Sequence, residues 1–114
     1  IDTYGIIELI KENKNYENFK EVKVITGILN YGEFYYWIIK NGIGNHDFLD
    51  KLKKVVLNVD ILDVVGAMKF RYKHREKNFS YVDSVGYVMA LRRKLIFVTG
   101  DKEFENMENV EFVK

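Results

Sequence analysis

Apolar residues recur at helical spacing in five stretches of the chain. Steps of three and four residues between apolar positions follow one face of an α-helix. The stretches cover residues 6–10, 28–39, 48–52, 61–72 and 82–91. Asp2 or Thr3 can cap the first helix with a side-chain oxygen, Gly42 and Gly44 follow the second, and Asn78 follows the fourth. The pattern therefore predicts five helices with polar residues or glycines at their boundaries.

Short apolar runs between the helices predict strands. The runs are Val22, Val24 and Ile25, residues 55–57, residues 95–98, and residues 110–113 as an edge strand. Ile1 would end a further, short first strand. Strands that alternate with helices form a parallel sheet with helices on both faces, and the continuous apolar run 95–98 is typical of a strand buried on both faces. We expect one α/β domain over residues 1–114, a three-layer α/β/α sandwich with a central parallel sheet.

Composition narrows the chemistry that the chain can carry. Cysteine is absent, which excludes thiolate nucleophiles and thiolate zinc sites, and two histidines are too few for a histidine-rich zinc site. A metal would therefore be a hard cation such as Mg²⁺ or Mn²⁺ on carboxylate oxygens. No apolar run approaches the roughly 20 residues that cross a bilayer, which favours a cytoplasmic protein. There is no Walker-type phosphate loop and no Gly-x-Ser-x-Gly elbow.

Four acidic residues are candidates for a metal site. Asp2 follows the presumed first strand and Asp101 follows residues 95–98, and ligands of open parallel sheets bind at this edge. Asp83 joins them if its helix starts beside the same edge, and Glu33 lies in a helix among aromatic residues. Each also has a structural reading: Asp2 and Asp83 as helix caps, Asp101 as a turn residue, and Glu33 on a solvated helix face. Spacing alone leaves both readings open.

The segments around these acids resemble a known family. They are Ile1-Asp2-Thr3, residues 29–35 (LNYGEFY), residues 80–87 (SYVDSVGY) and residues 97–104 (FVTGDKEF). Together they resemble the PIN-domain family, in particular the single-domain VapC-type toxins of prokaryotic toxin–antitoxin modules. The resemblance covers nearly the whole chain and is most specific at 97–104, and residues 109–113 are similar to the family's closing strand. The family normally has a fuller strand before the leading aspartate, so we expect the first strand to be truncated here.

The resemblance implies a divalent-metal-dependent endoribonuclease, the toxin of a type II toxin–antitoxin pair. Asp2 and Asp101 would bind Mg²⁺ or Mn²⁺ directly, while Glu33 and Asp83 would hold metal-bound waters or a second ion. A group of four clustered carboxylates makes physical sense chiefly when a cation neutralises it. The hydroxyls of Thr3 and Thr99 would orient carboxylates in a second shell. The expected partners are an RNA substrate, a second copy of the chain in a homodimer, and a small antitoxin protein, with no membrane.

Basic residues are candidates for contacts with RNA. The first group comprises Lys69, Arg71, Lys73, Arg75 and Lys77. A second group comprises Arg92, Arg93 and Lys94. Because the chain has a net charge of only +1, binding of a polyanion would require such segregated charges. The alternative for these residues is a solvated helix end, where cations favour the C-terminal dipole. His74, which lies among them, is more consistent with a surface histidine than with a general base.

Two further interpretations concern partners and activity. Tyr35, Tyr36 and Trp37 place aromatic rings on several sides of one helix, which indicates an interface, although core packing explains any single one of them. The alternative to a nuclease is a catalytically inactive PIN-like module that binds RNA or protein. Asp101→Asn separates the two, since it should abolish cleavage by a nuclease and leave a binding module nearly unchanged.

Overall fold

The computed structural model describes residues 1–20, 24–44 and 46–114 and shows a mixed α/β fold. The helices are α1 (Thr3–Ile10), α2 (Ile28–Lys40), α3 (His46–Lys53), α4 (Ile61–Lys73) and α5 (Tyr81–Arg92). The strands are β1 (Thr26–Gly27), β2 (Val56–Leu57), β3 (Phe97–Thr99) and β4 (Val110–Phe112). Two short 3₁₀ segments, Lys14–Lys20 and Lys102–Phe104, complete the described elements.

The five predicted helices are confirmed, and their boundaries follow from local chemistry. Asp2 caps α1 by accepting the amide of Gly5, and a capping box at the start of α4 pairs Asp60 with Asp63. After α2, Gly42 adopts a φ of +63°, a conformation that suits glycine, so the helix ends as predicted. The fourth helix ends at Lys73, earlier than Asn78 suggested, because His74 takes the C-cap position.

The strands are shorter than predicted and form two separate pairs in the described residues. β1 pairs with β2 in parallel, and β3 pairs with β4 in parallel. The β-branched run placed the second strand too early: Val24 and Ile25 precede β1, which is Thr26–Gly27, and Val22 lies outside the described residues. Backbone pairing with β2, rather than the apolar character of single residues, decides where this strand lies.

The first residues of the chain link the two sheets. The Ile1 nitrogen donates to the Ile25 carbonyl at 2.9 Å, and the Asp2 amide donates to the Val98 carbonyl at 3.1 Å. A cavity of about 270 Å³ opens beside this link, and both sheets contribute to its lining. Ile96 lines the cavity and is 56% exposed, so the expectation that residues 95–98 are buried on both faces was wrong.

Apolar side chains from all parts of the fold form the core around these elements. One group packs α1, α2 and α3 together and includes Ile6, Phe34 and Leu49. A second, aromatic group includes Tyr87 of α5, with Phe97 in β3. This packing holds the start of α1, the start of α5 and the end of β3 in fixed relation, which positions the candidate site. No helix of the described ranges is long and apolar enough to cross a membrane.

Candidate metal centre

Asp2 lies between the start of α1 and the end of β3, and its carboxylate is almost completely buried. One carboxylate oxygen accepts the amide of Gly5 at 2.8 Å, and the other accepts the hydroxyl of Thr99. Burial raises the pKa of this carboxyl, the two hydrogen bonds act against that rise, and the charge of Asp101 adds to it. The predicted helix cap is therefore present, and it does not account for the contact with Thr99.

Asp101 follows β3, as the sequence predicted, and shares Thr99 with Asp2. Its amide donates to the Thr99 hydroxyl oxygen at 3.1 Å, and its carboxylate accepts the amide of Glu103 at 3.0 Å. Thr99 is fully buried, and its single side-chain oxygen contacts both acidic residues. The Thr99 side chain at the end of β3 therefore hydrogen-bonds to both Asp2 and Asp101. This connects the first residues of the domain to the segment after β3.

The negative charges of the other three acids all raise the pKa of Asp83. It lies in the first turn of α5, where Ser80, and not Asp83, is the N-cap: the Asp83 amide donates to the Ser80 hydroxyl at 3.1 Å. Burial, followed by the charges of Asp2, Glu33 and Asp101, raises the pKa of Asp83 to about 7. The four acids predicted from the sequence therefore form one electrostatic cluster.

Glu33 reaches the cluster from α2, and a chain of hydrogen bonds holds it there. Its carboxylate accepts the hydroxyl of Thr3 at 2.5 Å, and the Thr3 oxygen in turn accepts the side-chain amide of Asn30 at 3.1 Å. Asn30 was missed in the sequence analysis. The signal for it is its position on the buried face of α2, four residues before Phe34 and eight before Ile38, where an amide needs a partner.

The charge of this cluster fits a divalent cation. Among the described residues, the ion pairs of Lys and Arg involve other acids, Asp60 and Asp63, so none neutralises the cluster. Carboxylate oxygens are the ligands that Mg²⁺ and Mn²⁺ prefer. In the described part of the chain, however, no group of three or more acidic or histidine side chains is close enough to hold an ion. Binding an ion would therefore require the carboxylates to move closer together than they lie here.

The first basic group lies along α4 and the segment after it. Lys69, Arg71, Lys73 and Arg75 are exposed, and Arg75 stacks over the Tyr72 ring at 4.5 Å. Lys77 is different, because its ammonium donates to the Glu103 carbonyl at 3.2 Å. Of this group, Lys77 is the member that a hydrogen bond connects to the segment that follows Asp101.

The second basic group has a structural role. Arg92 and Arg93 donate to the buried carboxylate of Asp63 at 2.6 and 3.0 Å, which joins α5 to the start of α4. Burial opposes the charge of Asp63, but hydrogen bonds from Arg93, the Asp60 backbone and Arg92 outweigh it and lower its pKa to about 2. His74 packs on the Phe70 ring at a centroid distance of 4.8 Å.

The aromatic residues of α2 divide between core and surface. The Trp37 ring stacks on buried Phe34 with centroids 6.0 Å apart, so it belongs to the core. Tyr36 is 68% exposed and Tyr35 is 42% exposed, and Ile39 adds a further exposed apolar side chain to the helix. The exposed tyrosines therefore retain the interpretation of an interface, whereas Trp37 does not.

Comparisons with known proteins identify a structural relative. No family model matches the sequence, and no curated protein matches it. Among solved structures, the fold matches a chain of a toxin–antitoxin complex from Klebsiella pneumoniae with a TM-score of 0.74 and 14% sequence identity. The match covers 96% of this chain and 92% of that chain. The chain thus shares, over nearly its full length, the fold of a component of a toxin–antitoxin complex.

Proposed function

We propose that the protein is a divalent-metal-dependent endoribonuclease of the PIN type that acts as the toxin of a type II toxin–antitoxin pair in the cytoplasm. The observation that carries the proposal is the convergence of the charges of Asp2, Glu33 and Asp101 on Asp83, whose pKa rises to about 7. Repulsion between carboxylates does not stabilise a fold, so the arrangement points to a function that needs it. The fold shared with a component of a toxin–antitoxin complex supports the biological context.

In this proposal the four acids have different roles. Asp2 and Asp101 are direct ligands of Mg²⁺ or Mn²⁺, fixed by Thr99 and by the backbone amides that they accept. Asp83 and Glu33 hold water molecules or a second ion, and the hydrogen bond from Thr3 holds Glu33 in place. When bound, the cation supplies neutralisation of phosphate charge and acidification of a water molecule for attack on phosphorus. The raised pKa of Asp83 belongs to the metal-free site, and a bound cation would offset the acidic charges that help to raise it.

The proposed assembly follows from the same reading. We propose that Ile1 belongs to a central strand between β1 and β3, which would give a three-layer sandwich around one parallel sheet. Its nitrogen donates to Ile25, directly before β1, and the Asp2 amide donates to Val98 in β3. The exposed face of α2 with Tyr36 and Ile39 is proposed to bind a second copy or the antitoxin. Light scattering at micromolar concentration tests the dimer, and a monomeric mass would contradict it.

Cleavage of a mixed-structure RNA in Mg²⁺, Mn²⁺ or EDTA tests the activity. The wild-type chain should cut RNA only with metal, and Asp101→Asn should lose cutting while its thermal unfolding remains cooperative. The matched control is Asp50→Asn, because Asp50 is an exposed aspartate on α3 outside the cluster. Cutting that persists in EDTA, or equally in Asp101→Asn, would contradict the proposal.

A second candidate is a catalytically inactive module that binds RNA or protein. It is favoured by the caps that Asp2 and Asp101 form and by the absence, in the described ranges, of three acids poised around one ion. This candidate predicts no cleavage of any RNA with either metal and unchanged RNA binding in Asp101→Asn. Cleavage assays of wild type and Asp101→Asn decide between the two functions, and a gel-shift titration shows whether each protein binds the RNA.

A further inference from the structure

The buried side-chain amide of Asn30 is connected through Thr3 to Glu33, the exposed acid of the cluster. Asn30 belongs to α2, one turn before Glu33, and is only 2% exposed. Its Nδ2 donates to the Thr3 hydroxyl oxygen at 3.1 Å, and the Thr3 hydroxyl donates to the Glu33 Oε1 at 2.5 Å. The three side chains therefore form a short chain of hydrogen bonds that runs from the interior to the acid cluster.

This chain of hydrogen bonds runs in one direction, from the Asn30 amide through the Thr3 hydroxyl to the Glu33 carboxylate. An amide nitrogen only donates, and a hydroxyl group carries a single proton. Because Asn30 donates to the Thr3 oxygen, the proton of Thr3 is directed to Glu33. If the amide of Asn30 were turned the other way, its oxygen and the carboxylate of Glu33 would compete for the one proton of Thr3. Only the observed orientation satisfies both neighbours of the hydroxyl.

The surroundings of Asn30 keep its amide in place. A methyl group on Gly86 of α5 would lie 3.1 Å from the Asn30 Oδ1, and one on Gly27 of β1 would lie 3.4 Å from it. A side chain on Gly86 would therefore crowd the amide oxygen, whereas one on Gly27 would make only ordinary contact with it. Gly86 is three residues after Asp83 on the same helix, so the amide is packed against the helix that carries the central acid.

We propose that Asn30 is a positioning residue that holds Glu33 at the acid cluster by fixing the direction of the Thr3 hydroxyl. The inference rests on the proposed metal-binding function and adds a residue to it. Glu33 is exposed on α2, and an exposed glutamate without such a partner samples several rotamers. Hydrogen-bonded neighbours of ligands typically change metal affinity by about 10-fold or more when they are removed. Asn30 acts on the metal only through Thr3.

A double-mutant cycle on Mn²⁺ affinity tests this path, with free Mn²⁺ measured by electron paramagnetic resonance. Asn30→Leu and Thr3→Val, both close to isosteric, should each weaken Mn²⁺ binding by about 10-fold, and the double variant should be no weaker than Thr3→Val alone. Thr3→Ser, which restores the hydroxyl, should recover most of the affinity. Effects of Asn30→Leu and Thr3→Val that simply multiply would overturn the inference, as would unchanged affinity in either.

Asn41→Leu is the matched control for the buried amide. Asn41 lies at the exposed C-terminal end of α2 and also donates its Nδ2, to the Trp37 carbonyl at 2.8 Å. The same change of amide to isobutyl should leave Mn²⁺ affinity within error of wild type. A loss of affinity equal to that of Asn30→Leu would show that general damage to α2, and not the path through Thr3, is responsible.

A second measurement needs no change at Asn30 and covers the case in which Asn30→Leu does not fold. The side-chain amide of Asn30 in the metal-free protein should give ¹⁵N–¹H resonances that shift and exchange faster in Thr3→Val than in Thr3→Ser. Unshifted resonances would overturn the inference. Failure of the proposed function looks different: the wild-type chain would then bind no Mn²⁺, or Asp101→Asn would bind it equally well.

Discussion

Thr99 donates its hydroxyl to the carboxylate of Asp2, a residue 97 positions earlier in the chain, and accepts the amide of Asp101 with the same oxygen. This buried hydroxyl joins the start of α1 to the end of β3 and brings two carboxylates to one edge of the fold. The interaction is local in space and remote in sequence. It shows that the order of the candidate site depends on the packing of the whole domain.

Thr99→Val should therefore destabilise the protein and loosen the site together. Valine has nearly the same shape but removes the donor to buried Asp2 and the acceptor for the Asp101 amide, and unsatisfied buried polar groups cost about 1–3 kcal/mol each. Urea denaturation should show a lower midpoint with an unchanged slope. Thr99→Ser, which keeps the oxygen, is the control and should lose much less. Equal urea midpoints for Thr99→Val and wild type would contradict this account.

The stability of the metal-free protein should fall as the pH rises from about 4 to about 7. The pKa of Asp83 is raised from 3.8 to about 7, so the folded state keeps a proton over this interval that the unfolded state has released. The stability that a raised carboxyl pKa contributes is complete below the pKa of the unfolded state. It is lost as the pH approaches the pKa of the folded state, a loss on the order of 3 kcal/mol here. The raised pKa of Asp2 acts in the same direction. Thermal unfolding in EDTA across this range measures the effect.

Asp83→Asn provides the control for that pH dependence. The variant cannot ionise at this position, so its stability in EDTA should change less with pH and should exceed that of wild type at pH 8. Mn²⁺ should stabilise wild type most at pH 8, where it no longer competes with protons, and should stabilise the variant less. A wild-type stability that rises from pH 5 to pH 7 in EDTA would be incompatible with the proposed cluster.

The helices could be predicted from the sequence because their signal is local. A 3.6-residue period and a capping side chain lie within each segment, and all five predicted helices exist. The strands have two or three residues each, and pairing with distant partners sets their bounds, as Thr26–Gly27 with Val56–Leu57 shows. The 3₁₀ segment Lys14–Lys20 was also missed, because it has no periodic apolar pattern. Its buried residue, Tyr16, hydrogen-bonds to the distant Val113 carbonyl at 2.6 Å.

The candidate site was also only partly predictable from the sequence. Asp2 and Asp101 could be placed at one edge because the ends of parallel strands share it. The partners of side chains could not be predicted: nothing in the local sequence pairs Arg93 with Asp63, 30 residues away, or Thr3 with Glu33, also 30 residues away. Basic residues were therefore grouped by proximity in the sequence, which placed Arg92 and Arg93 with RNA contacts although they form ion pairs.

Asp63→Asn should cost far more stability than Asp60→Asn. Asp63 is completely buried and receives both arginines, and removing one partner of a buried ion pair costs about 3 kcal/mol or more. The Asp60 side chain is 52% exposed, so solvent screens its ion pair and Asp60→Asn should cost much less stability. Because the pKa of Asp63 is lowered from 3.8 to about 2, its contribution is present above pH 4 and is lost as the pH falls toward 2. Guanidinium denaturation of both variants at pH 7 and pH 3 measures the difference.

The exposed basic residues of α4 should bind RNA through its phosphates, without dependence on its base sequence. Arg71 and Lys73 are both exposed, and each phosphate contact to a single strand contributes about 0.7 to the slope of log affinity against log salt. Arg71→Gln with Lys73→Gln should therefore lower that slope by about 1.4, measured by filter binding in EDTA so that cleavage does not interfere.

Lys51→Gln with Lys53→Gln is the matched control for this pair, because these lysines have the same spacing, are exposed, and lie on α3. The control should leave the salt slope unchanged, since a net charge of +1 gives little general attraction to a polyanion. Equal changes in slope for both pairs would mean that RNA senses only the total charge of the protein. A change confined to Arg71 and Lys73 would instead identify the α4 face as the one along which RNA lies. The cleaved bond should then lie near Asp101, because Lys77, which follows α4, hydrogen-bonds to the Glu103 carbonyl two residues after Asp101.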